Sequence, residues 1–211
     1  MAIVYPLAWP THRGLRDIAI RRRKAVAASR SPFSILSEQF YEWPGNERWE
    51  ADINLPPMVR ADAAPWIAWL LSLDGPIGTF LMGDPDGATP RGAGTGAPQV
   101  DGGGQFGKEL AIKTGLGTTA NWLRAGDWIQ LGSTTSARLY RNLKDVSLNA
   151  SGRAVLDIRP KLRSATIDGE AVTVVGAKGL WRLEGDVVEE AIDAARHHRP
   201  ASITAIEAPA G

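Results

Sequence analysis

Polar and apolar residues alternate without a break from Arg48 to Leu55, so Trp49, Ala51, Ile53 and Leu55 share one face of a strand. Upstream, Gln39-Phe40-Tyr41-Glu42-Trp43 runs into the turn sequence Pro44-Gly45-Asn46. The two segments together predict a hairpin, ended by Pro56-Pro57. The period then becomes helical. Over 61–73, Trp66, Trp69, Leu70 and Leu73 form one apolar stripe, with Asp62 as candidate cap, Pro65 in the first turn and Asp74-Gly75-Pro76 as the stop. Residues 77–82 read as a buried strand.

From Gly83 to Gly107 the chain is dense in glycine and poor in large apolar side chains, which predicts an extended loop or linker. Beyond it, strand-like segments recur at 109–114, 119–124, 127–131, 137–143, 153–159 and 171–175, separated by turn residues. That spacing points to a small antiparallel barrel or sandwich. Residues 179–184 give a further strand, and 187–192 a strand or a short helix. The expected fold is mainly β. Residues 1–85 with 178–193 form a β-sandwich domain with one helix, 86–105 a Gly-rich linker, 106–177 a peripheral β-barrel and 194–211 a C-terminal surface arm.

Composition narrows the function classes. A chain of 211 residues, 44% hydrophobic and 22% charged, should bury a normal core, and its net charge of +1 implies no general attraction to polyanions or membranes. There is no cysteine, which removes disulfides, thiolate zinc sites and thiol nucleophiles and fits synthesis in a reducing compartment. The first residues are too short and proline-broken for a secretory signal, and no apolar run reaches membrane-spanning length, so membrane insertion is not expected.

Candidate chemistry is sparse. Gly92-Ala93-Gly94-Thr95-Gly96-Ala97 fits a dinucleotide-binding turn, but prolines flank it and neither a strand before nor a helix after is evident, so a linker is favoured and no cofactor is expected. His12, His197 and His198 have poor spacing for one metal, and no nucleophile motif is present, so neither a metal site nor a catalytic residue is expected. The run Arg21-Arg22-Arg23-Lys24 reads as a half-wet strand or a subunit contact, against a DNA-facing surface as the alternative. Among the eight tryptophans, Trp43, Trp49, Trp66 and Trp69 sit at core-periodic positions. Trp122, Trp128 and Tyr140 could stack on sugars if they shared an exposed face, although burial is favoured.

The order of the pieces resembles the distal-tail and minor-tail proteins of long-tailed bacteriophages. The likeness is carried by Arg48-Trp49-Glu50-Ala51, Leu55-Pro56-Pro57-Met58, the tryptophan helix and Gly78-Thr79-Phe80-Leu81-Met82-Gly83-Asp84-Pro85. In the second half it is carried by 122–132, Leu139-Tyr140, 156–163 and Gly179-Leu180-Trp181-Arg182-Leu183. The resemblance covers roughly residues 15–193. It implies a structural virion protein, made in the bacterial host cytoplasm, that forms a hexameric ring at the distal end of the tail. Its partners would be other copies of itself, the tail tube protein, and the hub and fibre or receptor-binding proteins, with DNA only in transit through the lumen. On that basis Ile18, Ile20, Arg21, Arg23, Trp49 and Asp52 are expected at ring-forming or lumen-facing surfaces. The rival expectations are a carbohydrate-binding module using Trp122, Trp128 and Tyr140, and an enzyme with a deep polar pocket.

Overall fold

The computed structural model describes residues 3–10, 15–43, 45–186, 188–200 and 202–209; His12, Pro44 and Val187 lie outside the described residues. In chain order the elements are β1 (Asp17–Lys24), β2 (Ala27–Arg30), β3 (Glu38–Tyr41), β4 (Glu47–Asn54), α1 (Arg60–Ser72) and β5 (Thr79–Met82). Then come β6 (Gln99–Val100), β7 (Gly107–Lys113), β8 (Thr119–Leu123), β9 (Trp128–Leu131), β10 (Arg138–Asn142), β11 (Val146–Leu148), β12 (Arg153–Leu162) and β13 (Val172–Thr173). The chain closes with β14 (Gly179–Leu183), β15 (Glu190–Ile192), β16 (His198–Pro200) and β17 (Ile203–Glu207).

A five-stranded sheet runs β1-β4-β17-β14-β5, with antiparallel neighbours throughout. The alternation in β4 places Trp49, Ala51 and Ile53 on its core face, beside Ile203 and Ala205 of β17 and Trp181 and Leu183 of β14. Helix α1 covers that face with Ala63, Trp66, Trp69 and Leu70. Edge-on aromatic contacts join Trp66 to Trp69 at 5.9 Å and Trp69 to Phe80 at 5.0 Å, and Trp9 reaches the same cluster. The helix starts one residue before the expected span, and its cap is Val59 rather than Asp62, so Asp62 lies in the first turn and Pro65 in the second.

The second sheet, β13-β9-β10-β12-β7-β6, curls until its two edges nearly meet. The Val172 amide donates to the Pro98 carbonyl at 2.9 Å, and the Val100 amide to Glu170 at 2.9 Å. Its interior is filled by Leu110, Ile112, Trp122, Ile129, Tyr140, Leu156 and Ile158. The barrel is therefore an insertion between β5 and β14.

Three expectations change. The partner of β4 is β1, not β3; β3 instead pairs with β2 in a separate hairpin. Trp43 is exposed at the base of that hairpin and lies outside the core. The proposed C-terminal arm over 194–211 supplies β17, an inner strand of the main sheet, and β16, which pairs with β15. Within the segment read as a strand or a short helix, Glu190–Ile192 is strand.

Candidate functional site

The charged face of the main sheet comes first. Register pairs Arg21 with Glu50, Arg23 with Arg48 and Ala19 with Asp52. Period two therefore puts Arg21, Arg23 and Asp52 on the outer face and turns Ile18 and Ile20 toward the core, where both are partly buried. Glu50, itself buried, accepts from Arg23 at 3.1 Å, Arg48 at 3.1 Å and Arg21 at 3.4 Å. Asp52 accepts from Arg21 and from the Thr204 hydroxyl. On the other side of the strand Arg22 lies 3.8 Å from Glu47, and Lys24 lies 3.0 Å from Glu42. Each cation of the basic run thus lies within ion-pair distance of a carboxylate, with Glu50 shared among Arg21, Arg23 and Arg48, so the run is largely neutralised within the chain.

These pairs predict acid sensitivity. Burial pushes the Glu50 carboxyl up, but the hydrogen bonds from Arg48, Arg23 and Arg21 outweigh it and hold the group below its ordinary range. The hydrogen bond from Arg21 does the same for Asp52. Both groups bind protons less readily folded than unfolded, so their stabilisation is present above the ordinary carboxylate range and lost as pH falls through the lower folded values. The melting temperature should drop on going from about pH 6 to about pH 3, with the β1 amides losing hydrogen-exchange protection before those of β17. Glu50→Gln should flatten that acid limb; an unchanged limb would remove Glu50 as its source.

A second cluster joins sheet and barrel. The Trp49 indole N–H donates to the Leu139 carbonyl at 2.9 Å, and its ring meets Trp128 at 4.9 Å. Trp128 in turn donates to Asp84 at 2.9 Å, with the Arg141 guanidinium 4.8 Å above its ring. Beside them Glu207 accepts from the Trp49 amide at 3.2 Å, the Leu139 amide at 3.3 Å and Arg163 at 2.5 Å. Burial pushes the Glu207 carboxyl up, and Arg163 and the two amides oppose it. Trp49 is therefore a buried junction residue whose side chain is closed to a lumen or a second copy. The sugar-stacking trio is corrected in the same way. Trp122 and Tyr140 are 0% exposed and Trp128 3%, so none offers a face to a carbohydrate.

The glycine stretch is a strap across the barrel. Asp127, buried, accepts from the amides of Arg91 at 2.9 Å, Gly92 at 3.2 Å and Arg124 at 2.7 Å. The Ala93 amide donates to Asn121 at 3.1 Å and that of Gly94 to Trp122 at 2.9 Å. The amides of Gly92, Ala93 and Gly94, at the start of the turn that would face a pyrophosphate, are thus already bonded within the chain. A loose linker over 86–105 is likewise replaced, since β6 lies inside it. A Cβ at Gly92 would fall 2.4 Å from the Trp122 carbonyl oxygen, whereas one at Gly115 would meet nothing within 4 Å. Gly92→Ala should lower the unfolding midpoint by several degrees and Gly115→Ala should leave it nearly unchanged; equal effects in thermal melts would refute the close-approach account.

Between β1 and β4 the chain leaves the body as the β2–β3 hairpin. Every residue of both strands is exposed. At the tip, Ser31-Pro32-Phe33-Ser34-Ile35-Leu36-Ser37 carries no charge, and Phe33, Ile35 and Leu36 are 96%, 97% and 96% exposed. Phe40, Tyr41 and Trp43 extend the apolar surface toward the base. There Glu42 is held by Lys24 at 3.0 Å and by Lys161 at 2.6 Å, so the root is fixed while the tip stands clear. Burying such side chains normally stabilises by about 1.5–3 kcal/mol each, so their complete exposure marks a contact surface. Sequence periodicity places a strand at 39–43 but pairs it with 48–55, and it gives no strand at β2, because β2 and β3 bury nothing and have no alternation to display.

Among the described residues no group of three or more His, Asp or Glu is placed to hold a metal. The ring of His198 bonds to Glu190 at 2.5 Å and its backbone to Met58, which fastens the β15–β16 hairpin near α1. Among those residues no helix is long and apolar enough to cross a membrane.

No family model and no curated protein matches the chain.

Proposed function

We propose that this chain is a structural protein of a bacteriophage virion, six copies of which close a ring at the distal end of the tail. The observation that carries the reading is the β2–β3 arm, whose apolar tip stands exposed on a fixed root as a surface suited to contact with another chain. A sheet edge at β1 and a protruding hairpin at the same side suit heterologous contacts, which close into cyclic rings. The order of parts supports the tail assignment: the resemblance implies a β-sandwich with one helix, a β-barrel inserted or appended and a return through Gly179–Leu183, and the chain has a helix-covered sheet, an inserted barrel and that returning strand. In this ring the tail tube docks on one side and the hub and fibres on the other. The outer face of β1 and β4, its arginines matched by carboxylates, lines the lumen and lets DNA pass without trapping its phosphates.

Mass measurement and negative-stain imaging of the full chain, alone and with tail tube protein, test the proposal. Rings of six copies are expected at micromolar concentration. The triple substitution Phe33→Asp, Ile35→Asp and Leu36→Asp should leave a folded monomer with an unchanged melting temperature. A wild-type chain that stays monomeric even with tube protein would refute the ring.

A further inference from the structure

Building on the ring reading, we infer that the tip of each arm inserts into a specific groove on the next copy, the cleft lined by Leu7, Trp9, Leu15, Leu81, Met82 and Pro85. This groove encloses about 530 Å³, within the roughly 300–1,000 Å³ span of sites that bury sizeable apolar groups. Its floor is the β5 edge, where the Leu7 amide donates to the Thr79 carbonyl at 2.8 Å and Trp9 donates to the Leu81 carbonyl at 2.9 Å.

Three observations select this groove and this occupant. The first is place. The arm leaves the sheet beside β1, and the groove lies at β5, the opposite edge of the same sheet. At a strand spacing of about 4.8 Å the two edges stand roughly 19 Å apart. Because its root is held by Lys24 and Lys161, the arm belongs to one edge and its receptor to the other, so the contact is head-to-tail and propagates from copy to copy.

The second is chemistry. The tip has no charged residue, and the groove is lined by no carboxylate, its one charged member being Lys178. A second apolar cleft, beside Leu70, Leu183 and Val188, is rimmed by Glu184 and Glu189, which an uncharged tip would desolvate without pairing, and a third, along Pro98 and Val172, carries no charge but lies on the barrel rather than at the sheet edge. The third is size. Phe33, Phe40, Tyr41 and Trp43 are 96%, 66%, 55% and 75% exposed, so at about 150–250 Å² for each fully buried ring they offer on the order of 500 Å² to a partner. That is a large part of the roughly 800 Å² that one partner contributes to a stable interface.

Because the chain has no cysteine, a designed pair reports the contact cleanly. Ile35→Cys on the tip and Ala8→Cys at the exposed groove rim are combined in one chain and treated with a short bismaleimide. A ladder of covalent species up to the ring size is expected from the pair, and none from either single variant. Independently, Leu81→Glu should weaken assembly at least tenfold in mass measurements while the far-ultraviolet spectrum and melting temperature stay those of the parent. Rings that form without a ladder, or that survive Leu81→Glu unchanged, would overturn the groove assignment and leave the ring reading standing. A covalent dimer from Ile35→Cys alone would overturn it in favour of tip-to-tip pairing. A chain that stays monomeric with tube protein present would overturn both.

Discussion

A chain ended after Pro200 will fail to fold. The missing segment includes β17, which lies between β4 and β14 and is hydrogen-bonded to both. Its loss opens two inner edges of the main sheet to water and to other chains. It also removes Ile203 and Ala205 from the core, the buried Ile206, and the Thr204 hydroxyl bonded to Asp52. The two isoleucines alone represent about 1.5–3 kcal/mol each. With the ladder bonds gone as well, the loss approaches the whole 5–15 kcal/mol by which a typical domain is stable. Expression should give aggregated or protease-sensitive chain with no cooperative melt. A soluble truncated protein that melts like the parent would restore these residues to the status of a dispensable tail.

Glu207→Ala should be the most damaging single substitution. It leaves the Arg163 guanidinium buried without its partner and strips acceptors from the amides of Trp49 and Leu139. Breaking a buried pair in this way costs about 3–5 kcal/mol. For a chain of this size that is roughly 10 °C in melting temperature. Because all three donors belong to the junction of sheet and barrel, Leu139 should lose exchange protection more than residues deep in either core. The double variant Glu207→Leu with Arg163→Met should recover most of the loss, since no uncompensated charge remains. Urea melts of the three proteins decide it, and a double variant no more stable than Glu207→Ala would refute the pairing as the cause.

Much of the fold was legible. The alternation of Arg48–Leu55 and the stripe Trp66–Leu73 became β4 and α1 because each is a local pattern imposed by one buried face. Strand partners were not legible. Local alternation reports which face is wet, whereas β4 pairs with β1 and β17 through contacts remote in sequence. Residues 203–207 passed for a surface arm because they follow Pro200 among small residues, and Ala205 between the two isoleucines carries little apolar signal. The glycine stretch was misread for the converse reason. Glycine is required where backbone meets backbone, as Gly92 meets Trp122, and such closeness looks in sequence like freedom. The aromatics of the barrel showed their type but not their direction: Trp122 and Tyr140 point into the barrel, and Trp128 is buried against Trp49 at the junction.

The side-by-side departure and return of the inserted barrel has an evolutionary corollary. Met82 at the end of β5 pairs directly with Gly179 at the start of β14, so a two-residue turn could replace everything between them without moving either strand. Such a gap is a natural splice point, where a lineage can exchange one peripheral module for another while the assembling scaffold is inherited intact. Trp49 and Glu207, with Glu42 and Glu47 at the Lys161 contact, are the scaffold side chains bonded to the present guest. A swapped descendant should therefore carry new residues at those four positions before it carries any elsewhere in the sheet.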